Sequence, residues 1–192
     1  MARRARTVVL LGIDGAGKTT TAAALVAAEQ EAGRETIVLR NRSGRRWLAR
    51  VSARCGLELP ARWADRFETG VRVVNVLVSQ VRTTRRDGLV VIDRHLVCQL
   101  VLRRVRGLAP GRTLPWLGAA VLRGAVVVVL DAPAETAHAR ILARGQDHES
   151  LEYLRAARAV YLEFAGARGW PVVDATGAPE AVLARLTGLT GL

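Results

Sequence analysis

The sequence predicts an α/β fold, a parallel β-sheet with helices on both faces. Three observations carry this expectation. Short, continuous valine-rich runs recur along the chain, as in strands buried on both faces. Longer segments of helical period lie between them, and that alternation is the order a parallel sheet needs for its crossovers. A glycine-rich segment follows the first apolar run and precedes the first helical one. Such a turn presents backbone N–H groups to an anion.

Taken in order, residues 7–11, 36–39, 89–93, 125–131 and 171–174 read as strands. Residues 19–32 form a helical segment stopped by Gly33. Residues 62–86 carry Phe67, Val71, Val74, Val78 and Val81 at spacings of three and four, the mark of a long amphipathic helix ending near Gly88. Residues 134–144 open beside Pro133 and stop at Gly145. Leu151, Leu154, Tyr161 and Phe164 share one face of a further helix, and residues 179–189 close the chain as the last. Residues 42–62 and 107–123 carry no clear period.

Composition narrows the class. A length of 192 residues predicts one domain, and a 50% hydrophobic fraction supplies a sizeable core. Aromatics make up only 4%, so that core is aliphatic. The net charge of +12 fits anionic small substrates or nucleic acid, and it equally fits an arginine-biased genome with solvated helix faces. No basic run is interleaved with aromatics, which disfavours a nucleic-acid binder and leaves phosphorylated small molecules as partners. No apolar stretch of about 20 residues exists, so no membrane span is expected. Cys55 and Cys98 lie in no metal-ligand spacing. With no secretory signal they read as reduced thiols, and the expected location is cytoplasmic.

The glycine segment Gly12-Ile13-Asp14-Gly15-Ala16-Gly17-Lys18-Thr19 fits the phosphate-binding pattern G-x-x-x-x-G-K-[ST]. Lys18 is the only lysine in the chain; every other basic residue is arginine. A pocket beneath a triphosphate favours a compact ammonium over a planar fork. The loop amides and the helix N-terminus form an anion nest, Lys18 reaches the β- and γ-phosphates, and Thr19 offers a hydroxyl to Mg²⁺. Asp14 is either a turn residue bonded to nearby backbone or a group facing away from the donor toward a second substrate.

Two more segments fall at strand ends. Asp93 and Arg94 close the apolar run at 89–93. A carboxylate there suits Mg²⁺ held through water, and the Arg94 fork suits an acceptor phosphate; a local ion pair is the bland alternative. Arg140 and Arg144, spaced i, i+4, share one helix face and run into a short lid at about 144–150. They would fold over a travelling phosphoryl group, or merely solvate that face. Ligands of parallel sheets bind beyond the carboxyl ends of the strands, where all three segments converge.

On these residues the chain resembles the thymidylate kinase family of nucleoside monophosphate kinases. The loop from Gly12 through Thr20 is similar to the family's phosphate loop, and Val91-Ile92-Asp93-Arg94-His95 to its Asp-Arg-Tyr motif. Leu130 to Glu135 with Arg140, Arg144 and Gly145 resembles the approach to its lid. Tyr161 to Ala165, and Val173-Asp174-Ala175 with Pro179-Glu180, are similar to its closing elements.

The resemblance implies a five-stranded P-loop core of order 2-3-1-4-5, with ATP and Mg²⁺ as donor and metal. By position it implies donor contacts at Gly12, Asp14, Gly15, Ala16, Gly17, Lys18, Thr19 and Thr20, and metal contacts at Thr19 and Asp93. Asp14 would meet the acceptor sugar hydroxyl, Arg72 and Arg94 the acceptor phosphate, and Lys18, Arg94, Arg140 and Arg144 the reacting phosphates. It also implies a homodimer through the helix at 62–86. One departure bears on the acceptor: His95-Leu96-Val97-Cys98-Gln99-Leu100 lacks the serines and tyrosine that follow the family motif. The expected activity is phosphoryl transfer from ATP to a nucleoside monophosphate, with dTMP the first candidate. The alternatives are a related kinase for another nucleotide, nucleoside or sugar, and an ATP-driven switch.

Overall fold

The computed structural model of the chain describes residues 6–40, 70, 73–74, 88–93, 95–145 and 149–190. Five strands form one parallel sheet: β1 (Arg6–Leu11), β2 (Thr36–Arg40), β3 (Leu89–Asp93), β4 (Ala125–Asp131) and β5 (Val172–Asp174). Their order is β2-β3-β1-β4-β5, as the resemblance implied. Six helices are described: α1 (Lys18–Glu31), α2 (Val97–Val105), α3 (Thr113–Val121), α4 (Ala134–Ala143), α5 (Leu151–Arg168) and α6 (Pro179–Thr190).

The strands form where the apolar runs predict them. Every residue of β3 is buried, although successive side chains point to opposite faces. Both faces of the sheet are therefore covered at this strand, which explains the unbroken apolar run. Val8 to Leu11 and Val127 to Leu130 build the same core from β1 and β4, joined by Leu25 of α1, Leu154 of α5 and Leu186 of α6. Each such side chain contributes about 1.5–3 kcal/mol by leaving water. A smaller cluster of Leu96, Leu100 and Leu114 takes in Val73, Leu117 and Phe164.

Helices α2 and α3 are additions to the sequence expectation. The first five residues of α2 include four buried ones, Val97, Gln99, Leu100 and Val101. Its buried Val97, Leu100 and Val101 and its more exposed Arg103 and Arg104 do make an amphipathic helix, but nine residues are too few for the period to stand out in the sequence. Helix α3 carries Pro115 and Gly118, residues that usually punctuate loops. Pro115 is the third residue of the helix, where its backbone nitrogen has no intrahelical partner to lose. The expected helix at 62–86 lies outside the described residues, save that Gly70, Val73 and Val74 are helical. Other boundaries agree within one or two residues, except that α5 runs on to Arg168, where Gly169 ends it at φ 64°.

The sheet order positions the site. Strand β1 is central, with β3 on one side and β4 on the other, so the connections depart in opposite directions from it. The crevice beyond its carboxyl end is the switch point where ligands of such sheets bind. Registers Leu10 with Asp93 and Leu11 with Val129 bring the ends of all three strands to that crevice.

Candidate phosphate-transfer site

The glycine loop leaves β1 and closes on α1. Gly12 and Gly15 sit at φ 136° and 84°, backbone conformations that L side chains rarely adopt. Space gives a second reason for glycine. A Cβ on Gly12 would run into the Leu130 carbonyl, and one on Gly15 into the backbone of Ala137. The loop therefore packs backbone to backbone against β4 on one side and α4 on the other. The 14-residue α1 then starts at Lys18 with no side-chain cap and no acidic residue in its first turn. Its first amides and the positive end of its dipole stay available to an anion.

Lys18 is buried at 5% exposure, and its ammonium curls back into the loop. Nζ donates to Gly12 O at 2.9 Å and Ile13 O at 2.6 Å, and lies 3.4 Å from Asp14 Oδ1. The loop carbonyls thus hold the charge beside the nest. Thr19 Oγ1 donates to Asp93 Oδ2 at 2.8 Å, tying the start of α1 to the end of β3. Asp93 is 4% exposed, and its other oxygen, Oδ1, is buried without a hydrogen-bond partner. An orphaned carboxylate oxygen beside a hydroxyl is a donor set suited to a hard divalent cation. No group of three or more His, Cys, Asp or Glu residues suited to a metal occurs among the described residues. The residues present fit Mg²⁺ held largely by substrate phosphates and water.

On one flank of the loop lies a cleft of about 380 Å³, walled by Gly15, Thr21, Arg140, Ala175, Pro179 and Val182 among others. Its size is that of a small-molecule site. Arg140 forms part of the wall. Its NH1 donates to Gly15 O at 3.3 Å and Ala175 O at 3.1 Å, and its NH2 to Thr176 O at 3.3 Å. The expectation that Arg140 folds over a travelling phosphoryl group thus meets a guanidinium already engaged by backbone carbonyls. Arg144 is exposed, donates from Nε to Arg140 O at 3.1 Å, and lines the same cleft. Thr20 is exposed and lines the cleft as well.

Asp14, 25% exposed, marks a second polar group at the loop. The Tyr161 phenol of α5 is pushed up by burial first, then by a hydrogen bond and charge interaction with Cys98 and by the nearby Tyr153 and Asp14. It therefore stays a neutral hydroxyl. Cys98 is a half-buried free thiol. His95 is fully buried; burial pulls its imidazole down to about 4, and Nδ1 accepts from Val97 N at 3.5 Å. Asp131, at the end of β4, accepts both Arg158 Nε at 2.7 Å and Arg158 NH2 at 2.8 Å. This fork fixes α5 to the sheet.

The structure thus brings together Gly12, Asp14, Gly15, Ala16, Gly17, Lys18, Thr19, Thr20, Asp93, Arg140 and Arg144 around one crevice. Arg72, Arg94 and residues 146–148 of the expected lid lie outside the described residues. Sequence reasoning missed the Ala175–Thr176–Gly177 wall and the Tyr161–Cys98 pair. The first had a signal: it follows β5 directly, at the same carboxyl edge as the other segments.

A five-stranded parallel sheet in this order, with a glycine loop and lysine at the central strand end, defines an α/β nucleotide-binding protein of the P-loop class. No protein-family model matches the chain. Thymidylate kinase of Xylella fastidiosa strain M12 is 32% identical over 191 residues, covering 95% of this chain and 85% of that protein. A probable thymidylate kinase of Pyrobaculum calidifontis is 29% identical over 184 residues, 93% of this chain and 91% of the relative. One from Pyrobaculum aerophilum is 30% identical over 129 residues, 66% of this chain and 63% of the relative. The chain belongs to the thymidylate kinase family, and is a phosphotransferase of the nucleoside monophosphate kinase type. No helix among the described residues is long and apolar enough to cross a membrane.

Proposed function

We propose that the protein moves the γ-phosphoryl group of ATP onto a nucleoside monophosphate, with dTMP as the acceptor, giving dTDP and ADP. The observation that carries the reading is the phosphate loop itself. A buried Lys18 ammonium lies inside the glycine turn, and the Thr19–Asp93 bond closes that turn beside an orphaned carboxylate oxygen. The names of the relatives support the acceptor.

In this reading the loop amides and Lys18 bind the donor phosphates, and the 380 Å³ cleft takes the donor base. Thr19 and Asp93 would hold Mg²⁺, which would neutralise phosphate charge when bound. Asp14 faces the acceptor sugar, and Arg72 and Arg94 take the acceptor phosphate. The exposed Arg144 faces the transferred group in this reading. That acceptor oxygen is already ionised, so no general base is required. The residues align two anions in line and stabilise the charge that spreads between them. The whole chain acts as a single kinase domain.

A second reading keeps the chemistry and changes the acceptor. It rests on Leu96, Val97 and Leu100, which are buried apolar residues in the stretch where the family carries hydroxyl groups. One assay separates the two: ADP release from Mg·ATP across a panel of monophosphates, nucleosides and sugars. Strong dTMP-dependent turnover is expected. Turnover with another acceptor only selects the second reading. ATP loss that no acceptor stimulates overturns both.

A further inference from the structure

We propose that Arg140 is a positioning residue that locks the wall of the donor-base cleft to the phosphate loop, and that it makes no contact with the phosphates. The proposal rests on the donor-site reading given above. Its basis is the set of partners that the guanidinium already has.

Arg140 lies near the end of α4, between two loops that come from opposite ends of the chain. One is the phosphate loop, which offers Gly15 O at 3.3 Å. The other follows β5 and offers Ala175 O at 3.1 Å and Thr176 O at 3.3 Å. The two nitrogens NH1 and NH2 share these three carbonyls. A planar fork holds its donors in fixed directions on two separate nitrogens, so it can span the two loops, whereas an ammonium must bring all its donors from one point.

The helix adds a second bond between the same parts. Ala137, one turn before Arg140, lies so close to Gly15 that a Cβ there would collide with its backbone. Helix α4 therefore grips the phosphate loop by packing at Ala137 and by hydrogen bonding at Arg140. The fork then carries the β5–α6 loop along with it. Gly15, Arg140, Ala175 and Gly177 all line the cleft, so the parts that Arg140 joins are the walls between which a base would lie.

Arg144 behaves differently one turn later. It is exposed, its Nε donates only to the Arg140 carbonyl, and it pairs with no carboxylate among the described residues. The two arginines that share a helix face thus divide the work. Arg140 joins the walls of the cleft, and Arg144, exposed at its rim, leaves its terminal nitrogens unengaged by carboxylates among the described residues. A ligand with a base depends on the spacing of the walls; a ligand that is all phosphate does not.

The test compares ATP with inorganic tripolyphosphate, both with Mg²⁺, by titration calorimetry on the full chain and on Arg140→Met and Arg140→Lys. The expected result is at least about tenfold weaker ATP binding in Arg140→Met, with tripolyphosphate binding held within about twofold. In steady state the KM for ATP rises while kcat at saturating ATP and the acceptor KM stay near wild type, the pattern of lost ground-state binding. Arg140→Lys recovers only part of the ATP affinity. Lys18→Ala is the contrasting control and loses both ligands.

Retained tripolyphosphate binding also shows that a variant has folded. Should Arg140→Met fail to fold, Arg140→Lys carries the comparison. A parallel loss of tripolyphosphate and ATP would make Arg140 a phosphate ligand and overturn the proposal. Unchanged ATP binding would overturn it too. If the wild-type protein takes up tripolyphosphate and no ATP, the base cleft is misassigned while the phosphate loop stands. If it takes up neither, the donor site itself fails and this proposal with it.

Discussion

Lys18 shows how much one residue can signify in a sequence. It is the sole lysine, and its ammonium is found inside the glycine turn, held by Gly12 O and Ile13 O. Those carbonyls satisfy the charge until a stronger anion competes for it. Lys18→Ala should lower turnover by at least about 10²-fold, the usual cost of losing one preorganised charge contact. Unchanged turnover would remove the loop from the mechanism. His95 offers a test of a different kind. Burial lowers its pKa from 6.5 to about 4, so between those values the unfolded chain binds a proton that the folded chain refuses. Its stability contribution is present above pH 6.5 and is lost as pH falls toward 4. Denaturant melts at pH 7 and pH 5 should differ by about 2 kcal/mol from this group alone. In His95→Leu that part of the difference should vanish, while an undiminished difference would assign the acid loss to other groups.

Among the elements, the phosphate loop packs backbone to backbone on α4. Gly15 and Gly17 both hold positive φ, 84° and 92°. They differ in what surrounds them: a Cβ at Gly15 meets the Ala137 backbone, whereas one at Gly17 meets nothing within 4 Å. Gly17→Ala should therefore cost only the left-handed strain, about 1–2 kcal/mol. Gly15→Ala carries that strain plus an overpacking cost of about 1–3 kcal/mol. Thermal unfolding of the two variants should show the larger drop in Gly15→Ala, and equal drops would mean that the loop can back away from α4. At this scale the sequence was legible where apolar runs and glycine or proline stops marked the ends of an element. The valine runs of β1, β3 and β4 were readable as continuous apolar stretches, and α1 and α4 as the segments between them closed by Gly33 and by Pro133 and Gly145. Helix α2 was not, because its apolar face, Val97, Leu100 and Val101, spans barely two turns of a nine-residue helix. Nor was α3, because Pro115 and Gly118 usually mark loops.

For the whole molecule, charge is the dominant global property. A net charge of +12 on 192 residues favours encounter with polyanionic nucleotides and strains the folded state by self-repulsion. Raising salt from about 20 mM to about 200 mM should raise the thermal midpoint and lower kcat/KM for ATP, since both effects are screened over a Debye length of about 10 Å. A midpoint that falls instead would mean that ion pairs such as Arg158–Asp131 and Arg34–Glu29 outweigh the repulsion. The sequence by itself determined the strand and helix alternation, the anion-binding turn with its single lysine, and Asp93 at a strand end. Each is local: a glycine pattern, a residue count, or a period within one element. Only the tertiary structure decided which carbonyls engage Arg140, that Thr19 reaches Asp93, and that the turn after β5 walls the cleft. Those contacts join segments remote along the chain, and only the packing of α4 against the loops at the sheet's carboxyl edge brings them within hydrogen-bond reach.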